Sequence, residues 1–376
     1  MRAGGERLRL GVVLDAALEG WTSMDYVGEM LVETLRREHS TQVDVTSIQP
    51  STHRLLGRLP APARWLGGTL DRLAARCIVY PTAMVRLRDQ FDVFHIVDHS
   101  YAHAAHTLPR DRTGIYCHDL DAVRPLLKGS RSGPHRKLLA RSILHALEHS
   151  AVVFYSTQQV RRQMADYGLL DERRLVYAPY GVAPEFTPSG PLDAEMERLL
   201  PHGRFLLNVG SASPRKRPEL LLRAFAAVRA TAPDVFLVQQ GGGFSQTFDP
   251  LLADLVSRGA IVQFPRLSRA ALAHLYRRAS LVVLTSEREG FGLPLIEALA
   301  CSTSVLASDI PAFREVGEAA ASYCNSTESR DWADAILALI RTERTGPTRD
   351  VRLAQAGRFS WSRHARTILD AYRALP

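Results

Sequence analysis

The sequence predicts an α/β chain made of two doubly wound halves, each a mostly parallel sheet with helices on both faces. Three observations predict it. Short apolar, β-branched runs such as LRLGVVL (8–14) and LVVLTS (281–286) alternate with amphipathic segments, as βα units do. The alternation breaks once, at the proline-rich EFTPSGPLD (185–193), and then restarts. Finally, Leu281 to Cys301 reads as one strand, one glycine turn and one helix in succession.

In the first half the strand at 8–14 leads into a helix from about Ser23 to Arg37, then the strand QVDVTSI (42–48). A basic, partly amphipathic stretch follows from His53 to Arg88. DVFHIV (92–97) and GIYCHD (114–119) read as strands and Lys137 to His149 as a helix. AVVFYS (151–156), a helix over 157–167 and RLVYAPYGV (174–182) complete this half. The second half runs FLLNVGS, helix 217–231, VFLVQQ, a GGGFSQ loop, AIVQFP and helix 268–278. After the 281–301 unit come TSVLAS, helix 311–316, AAASYC and helix 329–342; FSWSRHARTILDAYRAL (359–375) is a last amphipathic helix. Right-handed crossovers put helices on both faces and the carboxyl ends of the strands at one edge, where such sheets bind ligands. Two facing halves would share a crevice there.

A length of 376 residues suffices for two domains, each with its own core. With 46% hydrophobic and 23% charged residues the chain reads as soluble and globular. No apolar run approaches the ~18 residues of a membrane span. The charged N-terminus MRAGGERLRLGVV runs straight into a strand rather than reading as a signal peptide. Cys77, Cys117, Cys301 and Cys324 stand far apart with no C-x-x-C spacing, as small buried hydrophobes of a reducing compartment would. The expected location is cytoplasmic. The net charge of +8 comes almost wholly from arginine. No aromatic-basic interleaving or recognition module accompanies it, which argues against nucleic acid as the partner. A GC-rich genome, an anionic substrate and an anionic membrane surface are the remaining sources.

The 281–301 unit carries the chemistry. Gly290 and Gly292 let backbone approach a ligand, and the helix opening at Leu293–Pro294 is a ready anion site. Glu289 in the turn and Glu297 eight residues on bracket it with carboxylates. That spacing suits a ligand with phosphates in the middle and hydroxyl-rich sugars at both ends. The alternative is a plain strand–loop–helix with solvated glutamates. The run E-G-F-G-L-P-L-I-E-A, however, resembles the E-x7-E signature of the family 4 glycosyltransferases, retaining enzymes of the GT-B fold.

Further segments share the resemblance. NVGSASPRKRPELLLRAF is similar to the family's G-x4-R-K segment, which implies Gly210, Arg215 and Lys216 around a donor diphosphate; a solvated basic turn is the other reading. IYCHD is similar to the strand ending in H-D, which implies that His118 meets the donor sugar. SDIPAFREVG places Glu315 as a structural or rim residue, and FSWSRHA is similar to the family's closing helix. The resemblance implies donor contacts by Gly210, Arg215, Lys216, Gly290, Phe291, Gly292, Leu293 and Glu297, with His118, Glu289, Arg215 and Lys216 catalytic. It also implies an acceptor domain (1–187), a nucleotide-sugar domain (188–358) and a terminal helix (359–376) crossing back to the first.

The sequence also departs from the family. The first loop, LEGWTSMD (18–25), has one glycine, so Trp21 or Asp25 would shape the acceptor side, with His95 at a similar strand end. YAPYGV carries Tyr180 where the family has asparagine, and Ser302 and Ser304 replace the usual glycine and proline. His99, His103 and His106 read as a helix face rather than metal ligands.

The expected activity is retaining, metal-independent transfer of a hexose from a GDP-mannose or UDP-hexose type donor to a glycan, lipid-linked or small-molecule hydroxyl. No cofactor is expected beyond that donor. Two alternatives stand: a non-catalytic homologue or partner subunit that binds nucleotide-sugar, and an epimerase on the same fold. Residues 54–76 carry Arg54, Arg58, Arg64, Arg72 and Arg76 against one acid, Asp71, interleaved with leucines and Trp65. Arg124 to Arg141 adds Lys128, Arg131, Arg136 and Lys137 with no acid among them. Such segments sit on an anionic inner membrane leaflet as a peripheral contact, or are solvated faces.

Overall fold

The computed structural model describes residues 7–52, 70–126, 131–168, 171–191, 193–244, 250–341 and 346–376. They form two compact units, one of Met1–Gly181 with Trp361–Pro376 and the other of Val182–Ser360.

The first unit holds six strands: β1 (Leu8–Val13), β2 (Val43–Ile48), β3 (Val93–Ile96), β4 (Thr113–Cys117), β5 (Val152–Tyr155) and β6 (Leu175–Tyr177). They pair in parallel in the order β2-β1-β3-β4-β5-β6. β3, β4 and β5 are buried along their whole length, as strands covered on both faces must be. The helices are α1 (Thr22–Glu38), α2 (Tyr80–Leu87), α3 (Pro134–His149) and α4 (Gln158–Asp166). A π-helical turn, Ala75–Val79, leads into α2. Residues 53–69 of the basic stretch, and Lys128, lie outside the described residues. The 174–182 run narrows to Leu175–Tyr177, because Pro179 has no N–H to give a ladder.

The second unit holds β7 (Arg204–Val209), β8 (Val235–Gln240), β9 (Ile261–Phe264), β10 (Leu281–Leu284), β11 (Val305–Ser308) and β12 (Ser322–Cys324). Their parallel order is β12-β11-β10-β7-β8-β9, the 3-2-1-4-5-6 arrangement of dinucleotide-binding sheets read from the other edge. Its helices are α5 (Ala194–Leu199), α6 (Pro218–Thr231), α7 (Pro250–Ser257), α8 (Arg269–Arg278), α9 (Leu293–Ala300), α10 (Pro311–Gly317), α11 (Ser329–Arg341) and α12 (Arg349–Ala356). Periodicity alone does not mark α7 and α12, each barely two turns long. The start of α12 is fixed by Thr348, whose hydroxyl accepts from the Val351 amide at 3.5 Å.

The last helix, α13 (Trp361–Arg373), belongs to the first unit and packs against α1. Its apolar face buries Trp361, Ala365, Ile368, Leu369 and Tyr372, and one polar chain pins it to the sheet. Tyr372 donates to the Phe94 carbonyl at 2.9 Å, so its oxygen accepts from Nδ1 of His95, also at 2.9 Å. Burial pushes the pKa of His95 down to about 3, which keeps the ring neutral at ordinary pH. At 1% exposure, against Tyr372 and Phe154, it is a core residue and does not line the acceptor side. Replacing Tyr372 by Phe should cost about 1–3 kcal/mol, the penalty for leaving the buried His95 N–H unpaired. Urea unfolding measures it; a change within the error of the midpoint would mean that apolar packing alone holds α13.

Candidate functional site

In the second unit the chain runs outward from β7 to β9, then returns to the other side of β7 as β10. The crevice of such a sheet opens beyond the carboxyl ends of the two strands at that reversal. The two turns found there are residues 210–217, after β7, and 285–292, after β10.

The first turn begins at Gly210, with φ of 134°, and its amide donates to the Gln240 carbonyl at 2.9 Å. The positive φ favours glycine, and the Lys216 side chain lies across the position: a Cβ at 210 would stand 2.6 Å from Nζ and push the lysine's end aside. Pro214–Lys216 make one 3₁₀ turn, and Arg217 takes a left-handed φ of 48° to enter α6. The second turn holds the first by backbone. Glu287 donates its amide to the Arg215 carbonyl at 2.7 Å, and Thr285 its hydroxyl to the Lys216 carbonyl at 2.8 Å.

This latch brings Glu289 against the two cations. Arg215 donates to Oε2 at 2.8 Å, Lys216 Nζ lies 3.4 Å from Oε1, and the Ser286 hydroxyl donates to Oε1 at 2.7 Å. Burial would raise the carboxyl's pKa, but Lys216 and Arg215 outweigh it and hold Glu289 at about 2. Arg215 also donates to the Arg288 carbonyl at 3.1 Å. Sequence reading treats the carboxylate and the cations as separate binding groups; the fold pairs them with each other.

Gly290 follows, then Phe291, whose ring is buried edge-on against Phe359, 5.5 Å between centroids. The aromatic side chain thus anchors the turn rather than lining it. Gly292 has φ of 108° and a Cβ there would meet Phe313 at 2.7 Å. Half-buried Leu293 and Pro294 open α9, and Glu297 lies one turn in, 5% exposed. Glu297 accepts from the Tyr276 hydroxyl of α8 at 2.9 Å, and burial pushes its pKa up to about 7 despite that bond. One residue sequence reading misses is therefore Tyr276, twenty-one positions away on another helix.

In the first unit the reversal falls between β1 and β3. Asp15 and Asp98 stand just past those two strands, 3% and 4% exposed. Neither oxygen of Asp15 has a donor among the described residues, and burial, then the charge of Asp98, raises its pKa well above normal. Burial would raise the Asp98 carboxyl too, but His99 lowers it, so the proton of the pair sits on Asp15 and is donated to Asp98. Asp98 accepts from the Ser100 amide at 2.8 Å and lies 3.2 Å from Nδ1 of His99. Burial would lower the pKa of His99; Asp98 raises it instead. Neither aspartate belongs to a motif; the only signal is that each follows the last residue of a strand.

Trp21 and Asp25 flank the start of α1, and Asp25 is near enough to raise the Asp15 carboxyl further. Arg76 stacks 5.2 Å from the Trp21 centroid and pairs with Glu19 at 2.8 Å, so it is an interior residue and not part of a basic surface. His118, one residue past β4, is 6% exposed. Its Nε2 donates to the Val97 carbonyl at 2.6 Å and its Nδ1 faces the Tyr180 hydroxyl. Both ring nitrogens are thereby engaged within the unit. His99, His103 and His106 lie on one 3₁₀ helix; His103 and His106 bond the Arg76 carbonyl and Ser142.

Comparison with known proteins finds a family and a fold that this chain shares. The model of a family described as glycosyl transferases group 1 matches residues 195–359. A D-inositol 3-phosphate glycosyltransferase of Geodermatophilus obscurus is 30% identical over 81% of this chain and 72% of its own. Proteins of the same name from Segniliparus rotundus and Rhodococcus erythropolis are 30% and 31% identical over 71% of this chain. The chain spans 63% and 64% of the length of those two. Sucrose-phosphate synthase from Thermosynechococcus elongatus superposes with TM-score 0.72 at 17% identity, covering 98% of this chain and 99% of that one. Anabaena HepE, solved with UDP and glucose, gives TM-score 0.70 at 16% identity over 98% and 100%.

Glu297 yields a pH signature. Its folded pKa of about 7 lies above the ordinary 4.5, so between those values the folded protein binds a proton that the unfolded chain has lost. Stability from this group is complete below 4.5 and falls as pH rises through 7. The stability of Glu297→Gln minus that of the parent should therefore grow between pH 5 and pH 8, by on the order of 3 kcal/mol. Urea unfolding at the two pH values checks it; a constant difference would place the charge of Glu297 in a solvated setting.

Proposed function

The chain belongs to the group 1 glycosyl transferases, and from that membership we propose that it transfers a hexose from a nucleoside-diphosphate sugar to an acceptor hydroxyl, with retention at the anomeric carbon. The observation that carries this reading is the cluster at the β7–β10 reversal. Two cations, a carboxylate they hold ionised and a buried second carboxylate lie at the strand-order reversal where sheets of this type bind ligands.

Arg215 and Lys216 are assigned to the diphosphate. When the anomeric C–O bond breaks, negative charge gathers on the leaving phosphate, and fixed cations stabilise it as it develops. The acceptor oxygen bonds to the anomeric carbon and its proton passes to the leaving phosphate oxygen, all on one face of the sugar. Donor phosphates displace Glu289 from the cations and free it to hydrogen-bond the sugar. Glu297 takes the ribose hydroxyls, whose donation favours its ionised form and draws its pKa down on binding. The backbone of Gly290 to Leu293 meets the phosphates at the start of α9. The donors to test are UDP-glucose and GDP-mannose, and inositol 3-phosphate, named in the relatives, is the first acceptor.

Incubation with labelled donor, with and without acceptor, tests the proposal. Transfer supports it, donor epimerisation without release of nucleotide supports the isomerase, and binding without either supports a non-catalytic partner. Given transfer, replacing Arg215 and Lys216 by alanine should lower kcat by about 10²–10³-fold or more while leaving acceptor affinity near its original value. Retained turnover with lost stability would make the pair purely structural.

We also read the first unit as able to sit on an anionic membrane. Leu70, Leu73, Ile78 and Val85, at half to two-thirds exposure, put an apolar stripe beside Arg72 and Arg86, and Leu138 is similarly exposed beside Arg136 and Lys137. Apolar residues rimmed by cations suit an interfacial helix. Sedimentation with vesicles should show binding that needs anionic lipid and fades with salt. Equal partitioning onto neutral vesicles, or none, would favour a soluble acceptor.

A further inference from the structure

His118 carries more restraint than a ligand-facing histidine needs. Its Nε2 must donate, because the Val97 carbonyl at 2.6 Å can only accept. In a neutral imidazole Nδ1 is then an acceptor, and the group against it is the Tyr180 hydroxyl, whose proton is shared between that nitrogen and the Tyr116 oxygen. Tyr180 is itself held firmly. Its ring stacks on Tyr116 at 5.2 Å and lies 6.0 Å from Trp361 of α13. Tyr116 stacks in turn on His118 at 4.8 Å and donates its hydroxyl to the Ala178 carbonyl at 2.6 Å, two residues before Tyr180. Position 180 is also where this chain departs from the resemblance seen in its sequence, with tyrosine for asparagine.

We propose that Tyr180 is a positioning residue whose hydroxyl fixes His118 as the neutral, Nε2-protonated tautomer. His118 then stands past the end of β4 as an oriented, uncharged group with neither ring nitrogen left to exchange a proton with a ligand. The contact with the donor sugar that the sequence resemblance implies for His118 rests on the function proposed above; its tautomer does not. The titratable groups around it are Asp98, His99 and Asp119 beyond the strand ends, Tyr116 on β4, His95 on β3 and His364 on α13. Burial lowers the pKa of His118, and Asp98 and Asp119 raise it in opposition, His99 adding to the lowering. A hydrogen bond donated to Nδ1 acts with burial, because it favours the neutral ring.

The test uses the full chain with ¹⁵N-labelled histidine, the His118 signals being assigned by loss in His118→Gln. In the parent protein Nε2 should read as protonated and Nδ1 as a hydrogen-bonded acceptor, with no titration between pH 8 and 5.5. In Tyr180→Phe, which keeps the ring stack, the Nδ1 signal should move downfield and the titration midpoint should rise. The acid limb of kcat should rise with it while the donor KM holds. A cationic or Nδ1-protonated His118 in the parent would overturn the proposal. So would a Tyr180→Phe protein whose Nδ1 signal and acid limb stay in place, whatever its stability. Absence of transfer with any donor would count against the proposed function alone, since the spectra need no turnover.

Discussion

The pairing of Glu289 with Arg215 and Lys216 is the constraint around which the second unit is arranged. Two adjacent cations held in a half-buried turn repel each other and need a counter-charge nearby. Supplying that charge from 74 positions away requires the turns after β7 and β10 to be locked together. Each unusual local feature serves the lock: glycine at 210 leaves room for the lysine, Arg217 takes a left-handed conformation, and Thr285 and Ser286 spend their hydroxyls on it. A ligand that replaced the carboxylate would inherit a pre-formed cation pair, with little reorganisation at the moment of reaction.

The alternation of apolar runs and helical segments was enough to read both sheets, because fully buried parallel strands have no other sequence signature. The E-x7-E run marked the site for a similar reason, since a strand, a glycine turn and a helix follow within about twenty residues. What stayed hidden was whatever depends on contacts distant in sequence. His95 and His118 look alike in sequence, each near the end of a strand. His95 lies inside β3, where alternation turns it toward α13, whereas His118 lies past the end of β4. The Asp15–Asp98 pair and the Tyr276–Glu297 bond are likewise invisible until the fold brings them together. Phe291 sits within the motif yet spends its ring on Phe359.

The two carboxylates of the E-x7-E run show how far environment separates identical side chains. Glu289, 12% exposed at its side chain among cations and a hydroxyl, is held at about 2, and Glu297, with one tyrosine for company, is pushed to about 7. One is a permanent charge that organises its neighbours; the other is a group whose charge waits on what binds.

The first unit is discontinuous: its sheet is formed from the first 181 residues, but α13, which buries Tyr372 and Trp361 in it, comes from the last sixteen. During synthesis the hydroxyl that pairs His95 reaches the sheet only after the intervening Val182–Ser360 has been made. The unit begun first is therefore the unit finished last. Until α13 has emerged from the ribosome, the face of the sheet meant for it is open apolar surface, a natural landing place for a chaperone.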